Sequence, residues 1–261
     1  MDLQELDKQK KNKRYSRHPW EQARLEFIYT KIKTNLKDDR PVFLDIGCGD
    51  TFVAEQLLKK MPNSTFYCID IAFTDEQLIY YSKKFKNKKI KVFNKLNEAI
   101  AQMESNISFV LVLDVIEHIE NDLDFLIQIE QIKQLDSKSK IVITVPAFQN
   151  LFSHHDYVLG HYRRYNNKTL ENITLKCGLQ TIQKGYFFSS LLLPRFISKL
   201  TELIFKPKTK STLVARWSKG KLITKVYKNI LILDITLTAF LEKIHLKPLG
   251  LSNYIICKKH V

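Results

Sequence analysis

Val42-Phe43-Leu44-Asp45-Ile46-Gly47-Cys48-Gly49-Asp50 is an apolar run, broken by Asp45, that ends in two glycines and leads into a helical pattern over residues 52–61. Such a run reads as a strand buried on both faces, as in a parallel sheet. Glycines at its carboxyl end let the backbone take positive φ and approach a ligand with no Cβ in the way. Roughly twenty residues on, the spacing expected of a second strand in a nucleotide-binding unit, Thr65-Phe66-Tyr67-Cys68-Ile69 repeats the pattern and ends in Asp70. An acidic side chain at that point can accept hydrogen bonds from both hydroxyls of a ribose. The expectation is a nucleoside-binding α/β domain.

The glycine spacing weighs between two cofactor classes. A dinucleotide turn, GxGxxG, needs its third glycine at position 52, where the chain has Phe52. The pattern (D/E)xGxGxG needs it at position 51, which is Thr51, but it accounts for Asp45 two residues before the first glycine. A tight turn between strand and helix with no ligand is the plain alternative.

At these residues the chain resembles the class I S-adenosylmethionine-dependent methyltransferases. Asp45 to Asp50 is similar to their first motif, Tyr67 to Asp70 to their second, and Phe109-Val110-Leu111-Val112-Leu113-Asp114-Val115-Ile116-Glu117-His118-Ile119 to their fourth-strand segment. The last of these resembles the ubiquinone-biosynthesis type of O-methyltransferase. Val145-Pro146-Ala147-Phe148, with His155-Asp156 and Leu159-Gly160-His161-Tyr162-Arg163-Arg164-Tyr165, resembles a bacterial subgroup encoded among glycan and lipid-linked sugar genes. The resemblance covers residues 17–201 and the last ten residues. It implies S-adenosyl-L-methionine as cofactor, held by Asp45, Gly47, Cys48, Gly49, Asp70, Ile71, Asp114 and Val115. Thr51 in place of glycine, and Asn94-Lys95-Leu96 with no acid for the adenine, depart from the family pattern.

At 261 residues and 44% hydrophobic content the chain can bury a full core. Its cysteines, Cys48, Cys68, Cys177 and Cys257, are scattered without a CxxC pair, as expected of free thiols in a reducing compartment. Residues 1–16 are polar, lack the apolar core of a signal peptide, and are expected to be a tail. A net charge of +15 calls for a negative partner, either nucleic acid or an anionic membrane surface.

Strands are expected near 42–47, 64–69, 89–94, 108–114, 139–145, 179–187 and 252–258, and helices near 20–36, 51–61, 74–85, 97–104, 121–135 and 167–177. This alternation implies an α/β, doubly wound, seven-stranded and mostly parallel sheet. The organisation expected is a methyltransferase domain over 17–188, a helical insertion over 189–251 and a final strand over 252–261, which the resemblance makes antiparallel. In the insertion, Phe196, Ile197, Leu200, Leu203 and Ile204 share one helical face, with Arg195, Lys199 and Lys206 outside it. A second helical stretch, 226–246, carries Asp234 and Glu242, so neither stretch is apolar enough to span a bilayer. Two readings stand: a cap over the substrate pocket, or an interfacial helix seated in anionic lipid.

Methyl transfer from a sulfonium is an in-line displacement, so the protein must align the acceptor, exclude water and, for a hydroxyl, take a proton. Bases belong at the carboxyl ends of the fourth and fifth strands. Glu117 and His118 lie there, and His118 is a candidate base or a structural hydrogen-bond donor. The loop after the fifth strand carries Ser153-His154-His155-Asp156 and His161. There His155 with Asp156 reads as a base whose tautomer is set by the carboxylate, and His161 as a further candidate. Arg163 and Arg164, followed by Tyr165, offer forked donors to a phosphate or carboxylate of the acceptor; the plain alternative is that Arg163 or Arg164 pairs with Asp156 to pin the loop, with one histidine buried. Trp20 and Arg24 share a face of the first helix; the resemblance suggests that this helix closes over the cofactor, with the ring at the acceptor and the guanidinium at a carboxylate, and a staple of the helix to the core is the plain alternative. Three histidines within eight residues lack helical i, i+4 spacing or a cysteine partner, so no metal is expected.

The partner expected is a small-molecule or lipid-linked acceptor, on a cytoplasmic enzyme peripheral to the inner membrane face. Ribose or tRNA methylation, a non-catalytic nucleoside-binding protein and, least, a dehydrogenase are the alternatives. Nucleic acid is disfavoured because the fourth strand ends in Asp114-Val115-Ile116-Glu117 in place of the (D/N)PP(Y/F) of amino-directed base methylation.

Overall fold

The computed structural model describes residues 17–86, 88–204, 217 and 219–259. The expected tail over 1–16 lies outside the described residues, as do Lys206 and the last two residues of the final segment. Helix α1 (Pro19–Asn35) precedes β1 (Val42–Ile46), α2 (Phe52–Lys60), β2 (Thr65–Ile69), α3 (Asp75–Lys84), β3 (Ile90–Phe93), α4 (Leu96–Ala101) and β4 (Phe109–Leu113). There follow α5 (Asp122–Glu130), β5 (Lys140–Pro146), α6 (His154–Val158), α7 (Asn167–Lys176), β6 (Leu179–Phe187), α8 (Leu192–Ile204), α9 (Lys221–Lys243) and β7 (Ser252–Lys259). The strands form one sheet in the order β3-β2-β1-β4-β5-β7-β6, with β7 antiparallel to both neighbours. This is the doubly wound, mostly parallel sheet expected, with two helices inserted between its last two strands in sequence.

The alternation of each strand explains why both faces are covered. Phe43, Phe66 and Phe109 point to one face, stacked with centroids 4.6 and 5.4 Å apart, and meet Ala23, Phe27 and Ile28 of α1, Leu57 of α2 and Leu231 of α9. Leu44, Tyr67 and Val110 point the other way, against Ala99 of α4, Leu126 of α5 and Leu170 of α7. Reversal of strand order on the two sides of β1 and β4 leaves a crevice at their carboxyl ends, where ligands of such sheets bind.

The insertion is tied to this core by its acids. Lys31 of α1, 8% exposed, donates to the Tyr254 hydroxyl at 2.7 Å and to Glu242 of α9 at 3.3 Å. Asp234 accepts from the backbone N–H and hydroxyl of Ser190 at 2.9 and 2.6 Å. The two carboxylates that interrupt the apolar pattern of α9 are therefore its inward anchors. Where the chain returns to the sheet, a Cβ on Gly250 would lie 2.2 Å from the Phe187 carbonyl oxygen, so only glycine fits that approach.

α8 faces opposite to an ordinary amphipathic cap. Its apolar residues Phe196, Ile197, Leu200 and Ile204 are 43 to 72% exposed, while Arg195 turns inward to a buried carboxylate and Lys199 pairs with Glu202 at 4.0 Å. On this helix the polar side holds it to the protein and the apolar side faces outward.

Candidate active site

The turn after β1 has the backbone that its glycines predict. Gly47 sits at φ +71°, and a Cβ there would meet Val115 Cγ2 at 2.5 Å, so β1 and β4 approach through it. Gly49 sits at φ +57° with no atom within 4 Å of where its Cβ would be, so the space above it is open. Thr51 takes φ 65°, a left-handed conformation disfavoured for a β-branched residue. The backbone demand for a third glycine is thus present, and threonine meets it with a buried hydroxyl donating to Glu55 at 3.0 Å. Asp114, Phe148 and Phe188, after β4, β5 and β6, also have positive φ. Four strained residues line one edge of the sheet, the concentration expected where geometry serves function at a cost of about 1 to 3 kcal/mol each.

Asp45 is 2% exposed, and its Oδ2 has no hydrogen-bond partner. Burial pushes its pKa up to about 7, with Arg24 pulling it down and Asp70 raising it further. Asp70 accepts from the Gly49 N–H at 2.9 Å and the Ala72 N–H at 3.0 Å, one on each oxygen, which leaves lone pairs on both for a diol. Ile71 beside it is 91% exposed, an apolar surface at the strand end. Cys48 is buried, and burial raises its thiol pKa.

α1 closes this edge. Arg17 pairs with Asp50 in the turn and with Glu21 at 3.0 Å. Arg24 pairs with Asp114, which also accepts from the Thr144 hydroxyl at 3.0 Å, and stacks on Trp20 at 4.6 Å. In this structure Trp20 and Arg24 therefore fasten α1 across the end of β4. The pairing of Arg17 with Asp50 and the bond from Thr144 to Asp114 were not visible in the sequence, because no local pattern marks partners 33 and 30 residues apart.

The loop after β5 departs most from expectation. Asp156 is fully buried and its carboxylate accepts from the Ser153 N–H (2.9 Å), Arg164 Nε (2.8 Å) and Nη2 (3.1 Å), Arg195 Nη2 (2.9 Å) and His161 Nδ1 (2.9 Å). The bonds from His161 and Arg164 hold its pKa well below the carboxylate range, against its burial. Its imidazole partner is thus His161, five residues on, and not His155, whose backbone N–H caps onto Ser153 at 3.2 Å and whose pKa burial and Arg195 lower. The reason is the capping box at the start of α6, in which Asp156 folds back onto Ser153. Arg164 is 9% exposed and spent on Asp156 and the Ala147 carbonyl. Arg163 is bound to Asp122 at 2.9 Å and the Glu120 carbonyl at 2.6 Å. Tyr165, 4% exposed, donates to Asp122 at 2.5 Å. The two guanidiniums and the phenol expected to meet the acceptor are used inside the protein.

The chain instead brings together residues far apart in sequence. The Tyr162 N–H donates to the Glu117 carbonyl at 2.7 Å, docking the loop on the 3₁₀ turn Ile116–His118. His118 and His161 then meet edge to face with ring centroids 4.5 Å apart. Burial and the neighbouring His161 lower the pKa of His118 to about 4, so it is neutral at pH 7. Glu117 is 1% exposed, and burial with the nearby Asp114 charge raises its pKa.

No family model matches the chain, and no curated protein matches its sequence. Solved structures do share its fold. Phosphoethanolamine N-methyltransferase 2 of Haemonchus contortus, in complex with S-adenosyl-L-methionine, is 16% identical and superposes over 90% of this chain and 52% of its own, with a TM-score of 0.53. Coclaurine N-methyltransferase, bound to N-methylheliamine and SAH, is 12% identical over 90% of this chain and 72% of its own, at 0.52. The [4+2]-cyclase SpnF is 11% identical over 90% and 80%, at 0.53. At these identities the likeness is one of fold, the Rossmann-like fold of S-adenosylmethionine-dependent methyltransferases, and that fold carries cyclase as well as methyltransferase chemistry.

Proposed function

We propose that the chain transfers a methyl group from S-adenosyl-L-methionine to an oxygen of a lipid-linked or other small acceptor at an anionic membrane surface. The observation that carries the cofactor reading is the glycine turn after β1: open space over Gly49, whose N–H donates to the Asp70 carboxylate, with Ile71 exposed next to Asp70 and the buried Oδ2 of Asp45 unpartnered two residues before the first glycine. Asp70 would accept from the ribose hydroxyls, Ile71 would cover one face of the base, and Asp45 with the Gly47 and Gly49 backbone would hold the amino-acid end; Asp114 and Val115 complete the wall. The bound sulfonium supplies a methyl already activated by positive charge. What remains to this chain's residues is to orient the acceptor and take its proton. The neutral His118 past the end of β4, and His161 of the loop after β5, oriented by Asp156, would serve that purpose.

The membrane reading is supported by the orientation of the insertion. Phe196, Ile197, Leu200 and Ile204 of α8 face outward, and the carboxylates of α9 are bound inward while Lys221, Lys225, Lys243 and Lys247 are exposed. Apolar burial and cation attraction to headgroups add on such a surface, and the chain carries +15 overall. Among the described residues no helix is long and apolar enough to cross a membrane.

Calorimetric titration with S-adenosylmethionine and S-adenosylhomocysteine, with NAD as control and Asp70→Ala as variant, tests the cofactor. Saturable binding weakened at least about tenfold in the variant is expected, since one charged hydrogen bond is worth about 1.5 to 3 kcal/mol. Binding of NAD alone, or of none of the three, would overturn the reading. Flotation with phosphatidylglycerol vesicles, lost in 0.5 M salt (a concentration that leaves a Debye length of about 4 Å), is the expected sign of the membrane surface.

A further inference from the structure

We infer that Glu117, His118 and His161 form a binding site for a divalent first-row transition cation on the acceptor side of the crevice. One ligand atom from each residue comes within 4.8 Å of the others, although 43 residues of sequence separate His118 from His161. The inference deepens the methyl-transfer reading and rests on it only for the use made of the cation.

The chemistry of each donor is already arranged. The Glu117 side chain is buried, and its Oε2 has no hydrogen-bond partner, an arrangement that costs free energy unless a cation or donor satisfies it. His161 Nδ1 is 2.9 Å from Asp156 Oδ1, so the proton stands on Nδ1 and Nε2 presents its lone pair. Asp156 is itself clamped by Arg164 and Arg195, which fixes the ring direction. This is the carboxylate–histidine support that metal-binding imidazoles use. The His118 ring stands edge to face against that of His161, with centroids 4.5 Å apart, and brings one ring nitrogen into the cluster. Two imidazoles and one carboxylate make an N₂O set suited to zinc, manganese or iron and less to calcium or magnesium, which prefer all-oxygen cages. The atoms would have to close by about 1.5 Å, since ligands of a cation at about 2.0 to 2.1 Å lie about 3.3 Å apart.

Three protein ligands leave positions open for the acceptor. His118 is exposed, so the cluster is open to solvent on that side. A hydroxyl bound there loses its proton more easily, and its oxygen then attacks the sulfonium methyl: the new C–O bond forms as the S–C bond breaks and sulfur keeps the electron pair. With a cation in place the imidazoles act as ligands, and the hydroxyl proton goes to solvent.

The test uses the full chain, freed of metal by a chelator and dialysed. Titration with Zn²⁺ and with Mn²⁺, read by calorimetry and by metal content after gel filtration, is expected to give one equivalent per chain. Glu117→Gln and His118→Ala should each weaken binding at least tenfold. Asp156→Asn should weaken it about 10- to 100-fold through the orientation of His161. S-adenosylmethionine binding, measured on the same preparations, should persist in His118→Ala, which also shows that the variant is folded. Wild-type protein that binds S-adenosylmethionine but no stoichiometric cation would overturn the metal site and leave the cofactor reading standing. Cation binding indifferent to His118→Ala and Glu117→Gln would overturn it as well.

Discussion

The end of β1 with its turn and the loop after β5 stand at the same edge of one sheet, and each buries a carboxylate. Asp45 keeps one oxygen unpartnered, and burial lifts its pKa to about 7. Asp156 is saturated by two arginines, a histidine and a backbone N–H, and its pKa is held well below the usual range. A buried carboxylate whose partners are all in the protein is a structural joint, whereas one with an orphaned oxygen beside open space is a place for a ligand. The residue types alone do not separate the two cases.

Removing the joint should have the largest effect. Asp156→Ala leaves Arg164 and Arg195 facing each other without an anion, and loss of one partner from a buried ion pair costs about 3 to 5 kcal/mol. Urea unfolding measures this, and a loss under about 1 kcal/mol would erase the contrast between the loops. Asp45→Asn should act with the opposite sign. The folded pKa of Asp45 lies above its ordinary 3.8, so the folded state binds more protons than the unfolded state, and this group costs stability as pH rises from about 4 through about 7. At pH 8 the variant should be more stable by up to a few kcal/mol, at about 1.4 per pKa unit. The gain should vanish toward pH 4, and cofactor affinity should fall. Equal stability of variant and parent at pH 8 would show that Asp45 is satisfied by something other than a ligand.

A pair of smaller substitutions sharpens the first loop. Gly47→Ala meets Val115 and a left-handed backbone, and should cost about 1 to 3 kcal/mol. Gly49→Ala meets only the backbone penalty, about 1 kcal/mol, yet fills the open space, so it should abolish cofactor binding in a folded protein. If Gly49→Ala bound normally, the space above the turn would not be the cofactor's. On α8, Phe196→Glu should change stability by less than about 0.5 kcal/mol, because the ring is half exposed. Vesicle flotation should nevertheless drop, and an unchanged flotation would return α8 to the role of a plain cap.

Strand 42–46, its glycine turn and the acid at 70 were legible because a buried parallel strand and a tight turn are local matters: apolar runs, φ > 0 and a fixed spacing write themselves in consecutive residues. The seven-stranded sheet followed from the same alternation. The insertion was located by its length and by the face of Phe196 and Leu200, but which way that face turned was invisible. It depended on Arg195 finding Asp156, 39 residues away. Likewise, the adjacency of His155 and Asp156 in sequence suggested a dyad that a capping box undid, and His161, bound to Asp156 within its own loop, was brought to His118 by a backbone bond between separate loops. The sequence by itself thus determined the scaffold and the cofactor edge, whose signals are short-range. Tertiary structure alone decided which charges were spent on each other and which were left for a ligand, because a buried charge's partner is chosen by three-dimensional packing and not by its neighbours along the chain.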